Sequence, residues 1–441
     1  MHKTPRLVSL FGALVLVVGA CSGSATLAPS VAPSAAAPSA AASAAASAAA
    51  SPSAAASAAA SPAAASPAAA ALTGSLSVWE AYGASGTSEK PAFDKMVAAV
   101  MAANPGLTVT VTDVPFANLF TNFETQAGAG SGPDLYIAPN DNLPKEARAG
   151  LLKDVSSLIP TLTAAPYNTS KVALDASTVD GKLYEIPESM KAIELMYNNS
   201  VITTPPVSTA DWLTNAKKLG WVYGANGGGS YYLWGLFSSF GGTIMDATTG
   251  KCTATTGGGV AAGLKWLADM KAAGMHFYQN DGDAKADLIS GKIAGFIEGP
   301  WQSADLSKAL GAKLSVVAGP TGPGGAWAPL TAPDGYYVNA GSPNADLAVQ
   351  FALQMLLPAN EQLFANYGHL PANTTLQPTD PIAQSFAALM PKGFARPTLK
   401  QLDNYWGNFG NALVAVIDKG TDPTKAVADA CAAMDKANGI Q

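Results

Sequence analysis

The run Ser75-Leu76-Ser77-Val78-Trp79 alternates apolar Leu76 and Val78 with serines, the period-two pattern of a strand with one buried face. After a Gly/Ser/Thr turn, Phe93, Met96, Val97, Val100 and Met101 recur at i, i+3, i+4, i+7 and i+8, which predicts an amphipathic helix with one apolar stripe. Asn104-Pro105-Gly106 stops that helix, and residues 107–114 alternate again as a strand. Residues 116–127 then read as helix, and Leu135-Tyr136-Ile137 as strand after the turn Gly132-Pro133-Asp134. This alternation predicts an α/β fold with a mostly parallel sheet and helices on both faces.

A second series starts near Tyr184. Strand-like residues 183–186 pass Pro187 and reach Ile193-Glu194-Leu195-Met196-Tyr197, and helices over 260–273 and 283–290 lead to a strand at 293–297. Strands at 314–317 and 335–338 and a helix over 344–356 follow, while the Gly/Pro-rich residues 319–333 read as a crossing between lobes. Two α/β lobes joined by several crossings place a cleft between them, where strand C-termini and helix N-termini converge.

The chain has 441 residues, with 25 Lys+Arg against 31 Asp+Glu. Only Lys3 and Arg6 are charged among the first 73 residues, so the rest carries a net charge of −8. An acidic body without Lys/Arg clusters lacks the footprint of nucleic-acid binding. Three scattered Cys and three scattered His show no CxxC, HxxxH or HExxH spacing, so neither a metal site nor a cofactor is expected. Cys252 and Cys431 are either a disulfide or two free thiols, since sequence gives no distance between them.

The N-terminus reads as an address. A basic start (Lys3, Arg6) precedes the mostly apolar residues 7–20, too short for the ~20 residues that span a bilayer and right for a signal h-region. Val18-Gly19-Ala20-Cys21 resembles a bacterial lipobox, against the alternative of an ordinary cleavage site with a chance cysteine. Lipidation of Cys21 would tether the protein outside the cytoplasmic membrane. Residues 22–71 are almost all Ala, Ser and Pro, with prolines at 29, 33, 38, 52, 62 and 67 interrupting any helix, so a disordered leash is expected.

Several stretches together resemble the bacterial extracellular solute-binding proteins of sugar ABC importers, most closely the maltose/maltodextrin-binding type. They are Ser75-Leu76-Ser77-Val78-Trp79, Ser131-Gly132-Pro133-Asp134-Leu135, and Gly181-Lys182-Leu183-Tyr184-Glu185-Ile186-Pro187 with Tyr197-Asn198-Asn199. Gly299-Pro300-Trp301, Ala340-Gly341-Ser342-Pro343-Asn344 and Tyr405-Trp406 follow in family order. The resemblance implies a two-lobed periplasmic-binding-protein fold, type II-like, with a hinge and an interlobe ligand cleft. It divides the chain into a lipoprotein signal peptide (1–20), a lipidated Cys21 with its linker (21–73), a first lobe (74–189 and 336–382) and a second (190–335 and 383–441). It also implies a monomer that binds maltose- or maltodextrin-like oligosaccharide and delivers it to the permease subunits of an ABC importer, from the periplasm or cell surface.

For the site, the resemblance places Asp141, beside Asn140, at a family position for a sugar-binding carboxylate, and Tyr231, Trp301 and Trp406 at aromatic subsites. The sequence departs where Lys191 replaces a glutamate, Ala138 an aromatic, and Asn142 and Gly410 each an arginine. Chemistry points the same way: a pyranose has an apolar face and a hydroxyl rim, so its site needs flat aromatic walls and fixed polar groups. Trp301, Trp406, Tyr231 and Tyr82 can be walls, while Asp141, Glu298, Glu80 and Lys191 can serve the rim. Each also has a plain structural reading. The tryptophans and tyrosines can be packing residues, Asp141 a helix cap, Glu80, Tyr82 and Glu298 strand-end residues, and Lys191 a solvated lysine.

Other ligands of the same architecture are trehalose, sucrose or a glycerol phosphodiester. A lipid-anchored enzyme acting on polysaccharide would need paired carboxylates across the cleft, for which only Asp141 with Glu298 offer themselves. No GxSxG elbow or GxxxxGK[ST] loop is present, and the expectation is a binding protein rather than an enzyme. A sensor subunit reporting to a membrane receptor is a third reading.

Overall fold

The computed structural model describes residues 71–83, 89–224 and 228–440, which belong to one compact unit. The expected signal peptide, Cys21 and nearly all of the expected linker lie outside the described residues. In chain order the strands are β1 (Thr73–Glu80), β2 (Gly106–Asp113), β3 (Leu135–Pro139), β4 (Thr178–Val179), β5 (Lys182–Leu183), β6 (Ile186–Lys191) and β7 (Glu194–Asn198). They continue as β8 (Leu219–Val222), β9 (His276–Tyr278), β10 (Gly295–Glu298), β11 (Leu314–Val317), β12 (Leu330–Val338), β13 (Leu370–Pro371) and β14 (Phe394–Ala395).

The alternation in β1 and β3 sorts side chains to two faces. Leu76, Val78, Leu135 and Ile137 pack with Phe93, Met96, Val97 and Val100 of the helix Glu89–Ala103. Tyr136 and Ala138 point the other way, onto Leu119 and Phe123 of the helix Phe116–Gly128. One sheet is therefore covered on both sides, as the helical periodicities require.

That sheet runs β13-β6-β12-β3-β1-β2, with β14 beside β12, and a second sheet runs β11-β7-β10-β8-β9. Both are mixed, a correction to the mostly parallel sheet expected. β1 is parallel to β2 and β3, but β12 is antiparallel to β3 and β6, and β7 is antiparallel to β10 and β11. The reversals fall on strands at the crossings. β6 continues through Ala192 and Ile193 into β7, and β12 arrives from the second lobe, so each meets strands whose direction was set by helices within one lobe. The crossing segment read at 319–333 ends inside β12, which starts at Leu330. Where β12 meets β6 the register shifts at Asp334/Gly335, and a Cβ on Gly335 would stand 2.5 Å from the Ile186 carbonyl oxygen, so only glycine allows this approach.

Two of the family-like stretches are tied together in the first lobe. Asp134 accepts from Ser77 N at 2.7 Å and Ser77 Oγ at 3.1 Å, and its other oxygen accepts from Ser342 Oγ and Asn344 Nδ2. Asn339 Nδ2 donates to the carbonyls of Ser131 and Pro133, both at 3.0 Å. These residues fix the start of β3 against β1 and the end of β12.

The second lobe is built on an aromatic core in which Trp212, Trp221 and Trp266 meet with ring centroids 6.0–6.4 Å apart. Cys252 and Cys431 form a disulfide, Cα atoms 5.5 Å apart, joining the segment after Met245 to the C-terminal helix Pro423–Ala437. Among the described residues no helix is long and apolar enough to cross a membrane.

Candidate functional site

The C-terminal end of β3 delivers Asn140 and Asp141 to the space between the lobes. Asn140 is buried, with Nδ2 donating to Ala176 O at 3.1 Å. The helix that follows, Leu143–Arg148, has Asn142 at its N-cap with no side-chain cap bond. Asp141 is thus not engaged in capping; its carboxylate instead accepts from Arg396 Nη2, while Arg396 Nη1 donates to Asn140 Oδ1 at 3.1 Å.

The crossing strands supply a second polar pair. Lys191 at the end of β6 is ion-paired with Asp334 of β12, both side chains at most 15% exposed, so Lys191 is not the solvated lysine of the plain reading. Its Nζ lies 5.5 Å from the centroid of the Trp301 ring.

The second lobe contributes the aromatic groups. Trp301 sits in the turn Pro300–Gln302 directly after β10, and its ring folds back over Gly299, where a Cβ would be 2.0 Å from the ring. The Gly-Pro-Trp spacing is explained by this approach, because any side chain at 299 would expel the indole. Tyr231 closes the short helix Gly228–Tyr231, its ring centroid 6.4 Å from that of Trp301. Among the described residues its buried hydroxyl finds no hydrogen-bond partner. Trp406, in the helix Asp403–Lys419, packs edge-on against Tyr405 at 5.0 Å and lies 4.5 Å beneath the Arg396 guanidinium. Its backbone is anchored by Ser230 Oγ, which donates to Trp406 O at 3.0 Å.

Three of the expected residues lie behind this lining. Glu80 is buried and turned into its own loop, accepting from Tyr82 N at 2.6 Å; burial raises its pKa, against the lowering effect of that amide. The partly buried Tyr82 ring packs against Phe93, Phe364 and His369 at 5.3–5.6 Å. Glu298 is fully buried under Tyr232, whose hydroxyl is 3.4 Å from each carboxylate oxygen, and accepts from Gly299 N at 2.8 Å. Burial pushes its carboxyl well above the usual range.

Arg396, Asp334 and His369 were not singled out from sequence. His369 lies at the back of the cleft with Nδ1 2.7 Å from Glu188 and Nε2 2.9 Å from Glu89, stacked on Phe364 at 3.6 Å. Burial alone would lower its pKa, but the two carboxylates raise it to about 10. The Arg396-Pro397 dipeptide shortly before Tyr405-Trp406, and Asp334-Gly335 at the end of a Gly/Pro-rich crossing, were the available signals.

Between Lys191, Trp301, Asp334 and His369 remains a cavity of about 10 Å³, room for roughly one water, so the lobes are in close contact. A larger groove of about 460 Å³ lies elsewhere, lined by Ala261, Ala262, Lys265, Val427 and Ala428. Thr255, Asp422 and Thr424 line it with Lys265, but it has no aromatic wall, so the interlobe cleft, which combines aromatic and polar groups, is the candidate site.

The buried acids predict a pH dependence. Burial raises Glu146 and Glu194 to about 8 and Glu361 to about 9. Each binds its proton more tightly folded than unfolded, as does His369. Their contribution is full below the unfolded values and is lost as pH rises through about 8 to 10. Thermal unfolding should show Tm falling by ~5 °C or more from pH 6 to pH 9.5. Glu194→Gln should flatten that fall, and a Tm that rises over the interval would contradict the assignment.

A model of the bacterial extracellular solute-binding proteins matches residues 95–391. The chain is 27% identical over 381 residues to a galactooligosaccharide-binding protein of Bacillus subtilis, covering 80% of this chain and 86% of that protein. It is 22% identical over 354 residues to a maltotriose-binding protein of Pyrococcus abyssi, covering 75% of each. Among solved structures, the maltotriose binding protein of Thermus thermophilus bound with maltotriose has a TM-score of 0.73 at 25% identity, covering 82% of this chain and 100% of that one. The GacH receptor of Streptomyces glaucescens has a TM-score of 0.75 at 21% identity, covering 83% and 98%. These neighbours share the two-lobed α/β fold expected from the sequence. With two sheets, strands crossing between them, an aromatic and polar cleft, and a family match over more than half its length, the chain belongs to the bacterial extracellular solute-binding proteins.

Proposed function

We propose that the protein is the substrate-binding lipoprotein of an ABC sugar importer, which takes a maltose- or maltodextrin-like oligosaccharide in the interlobe cleft and delivers it to the permease. What supports this reading is that Arg396, stacked on Trp406, bonds to Asn140 and Asp141, with the Tyr231 and Trp301 rings side by side. Indole and phenol rings suit the apolar faces of sugars. Asp141 and Asn140 accept or donate to hydroxyls, Lys191 and Asp334 hold the hinge side, and the Tyr231 hydroxyl gains a partner. Glu298 supports the aromatic face through Tyr232 and Gly299.

No chemistry is assigned to the cleft, and the protein acts as a monomer that closes on its ligand. Closure follows from groups on both lobes contacting one solute, because a ligand shifts the open and closed populations only by its differential affinity for them. The lipobox-like residues 18–21 support anchoring through Cys21 on the outer side of the cytoplasmic membrane, and the lobe limits given above are part of the same proposal.

Calorimetric titration with maltose, maltotriose, a galactooligosaccharide, trehalose and sucrose tests it. Binding of at least one oligosaccharide with Kd of ~10 μM or tighter is expected. A folded protein that binds none of them overturns the sugar assignment.

A further inference from the structure

Arg396 is 4% exposed and, on the lobe limits proposed above, belongs to the second lobe, while its side-chain hydrogen-bond partners among the described residues, Asn140 and Asp141, belong to the first. It follows β14, which runs beside the start of β12, and its backbone N donates to Thr331 O at 3.0 Å. Its guanidinium reaches across to Asn140 and Asp141, 256 and 255 residues earlier in the chain. The same planar group lies 4.5 Å over the Trp406 ring. A fork of fixed donors on a carboxylate and an amide oxygen, backed by an indole, is the arrangement in which arginine holds most firmly.

We propose that Arg396 is a latch: it pins the lobes together through Asp141 and Asn140, and a sugar must displace it from Trp406 and Asp141 to bind. This rests on the cleft being the oligosaccharide site. The guanidinium takes the same two things a pyranose needs, an aromatic face and a hydrogen-bond acceptor at the rim. Guanidinium and sugar ring cannot both lie on the covered face of Trp406. The closed lobes are then held without ligand, and the free energy of the latch is subtracted from the affinity for sugar. The latch also selects. A flat apolar solute can stack on Trp406 but would leave Asp141 unpaired, whereas a polyol replaces the lost donors with its own hydroxyls.

The test uses the protein without its leader, wild type and Arg396→Ala, with Arg396→Lys as a second variant that keeps the charge but not the planar stack. Small-angle scattering without sugar measures compactness, calorimetry with maltotriose measures affinity, and circular dichroism verifies folding. Arg396→Ala should enlarge the radius of gyration by ~1 Å and tighten maltotriose binding about 5- to 10-fold, with Arg396→Lys between it and wild type. An unchanged radius overturns the latch. Weaker maltotriose binding in Arg396→Ala also overturns it, by making the arginine a ligand donor. If wild type binds no sugar of the panel, the functional reading fails separately, and the radius alone decides the latch. Should the alanine variant not fold, the lysine variant decides on the same readouts.

Discussion

Trp301→Ala is expected to weaken oligosaccharide binding roughly 30-fold or more, a loss of about 2 kcal/mol. The indole is held on three sides: its own backbone at Gly299, the Lys191 ammonium at 5.5 Å and Tyr231 at 6.4 Å. A ring so fixed loses little conformational freedom when a sugar stacks on it, so most of the contact appears as affinity. Truncation removes the wall and leaves Lys191 and Tyr231 facing solvent. Calorimetry against whichever sugar the wild type binds measures the effect, and a loss under threefold would take Trp301 out of the site. Trp406→Ala should cost less, because it removes a wall and the seat of Arg396 together.

Replacing both cysteines, Cys252→Ala with Cys431→Ala, is expected to destabilise the second lobe by about 5 kcal/mol on the chain-entropy scale for a loop closed over a sequence separation of 179. Both residues are buried in the core that contains Trp212 and Trp221, so the substitutions also remove packed sulfur. Next to them Cys252 N donates to Asp435 Oδ1 at 2.8 Å, a bond to the C-terminal helix that the variant must keep without its covalent tie. Urea unfolding followed by tryptophan fluorescence should show the midpoint lowered, and wild type under reductant should move toward the variant. Coincident curves for oxidised wild type and variant would refute the stabilising role.

How much of this was legible in the sequence depended on whether a property is local. The period of Leu76 and Val78, and of Phe93 to Met101, reports which side of an element is buried, and the cores confirm it. Strand direction is not local: β7 and β12 read as ordinary strands, and only their passage between lobes makes them antiparallel. Trp301 and Trp406 stood out through the resemblance carried by Gly299-Pro300-Trp301 and Tyr405-Trp406, since a tryptophan beside Gly-Pro can equally be a packing residue. Arg396 did not, since an arginine paired across 255 residues is spelled like one in solvent. The burial of Glu298 and Glu80 was hidden for the converse reason, as a carboxyl at a strand end gives no sign that it will be buried. The cysteine pair was undecidable from spacing and needed the fold to bring the Cα atoms to 5.5 Å.

The Asp134 cluster separates the frame of the first lobe from the lining of the cleft. Ser77, Asp134, Ser342 and Asn344 bind one another rather than any solute, so the most recognisable stretches of the first lobe record how the frame is assembled. Asp141 and Lys191 are outside that cluster and pair instead with Arg396 and Asp334 in the candidate cleft. A designer wishing to retarget the cleft should therefore vary residues of the second kind and leave the first alone.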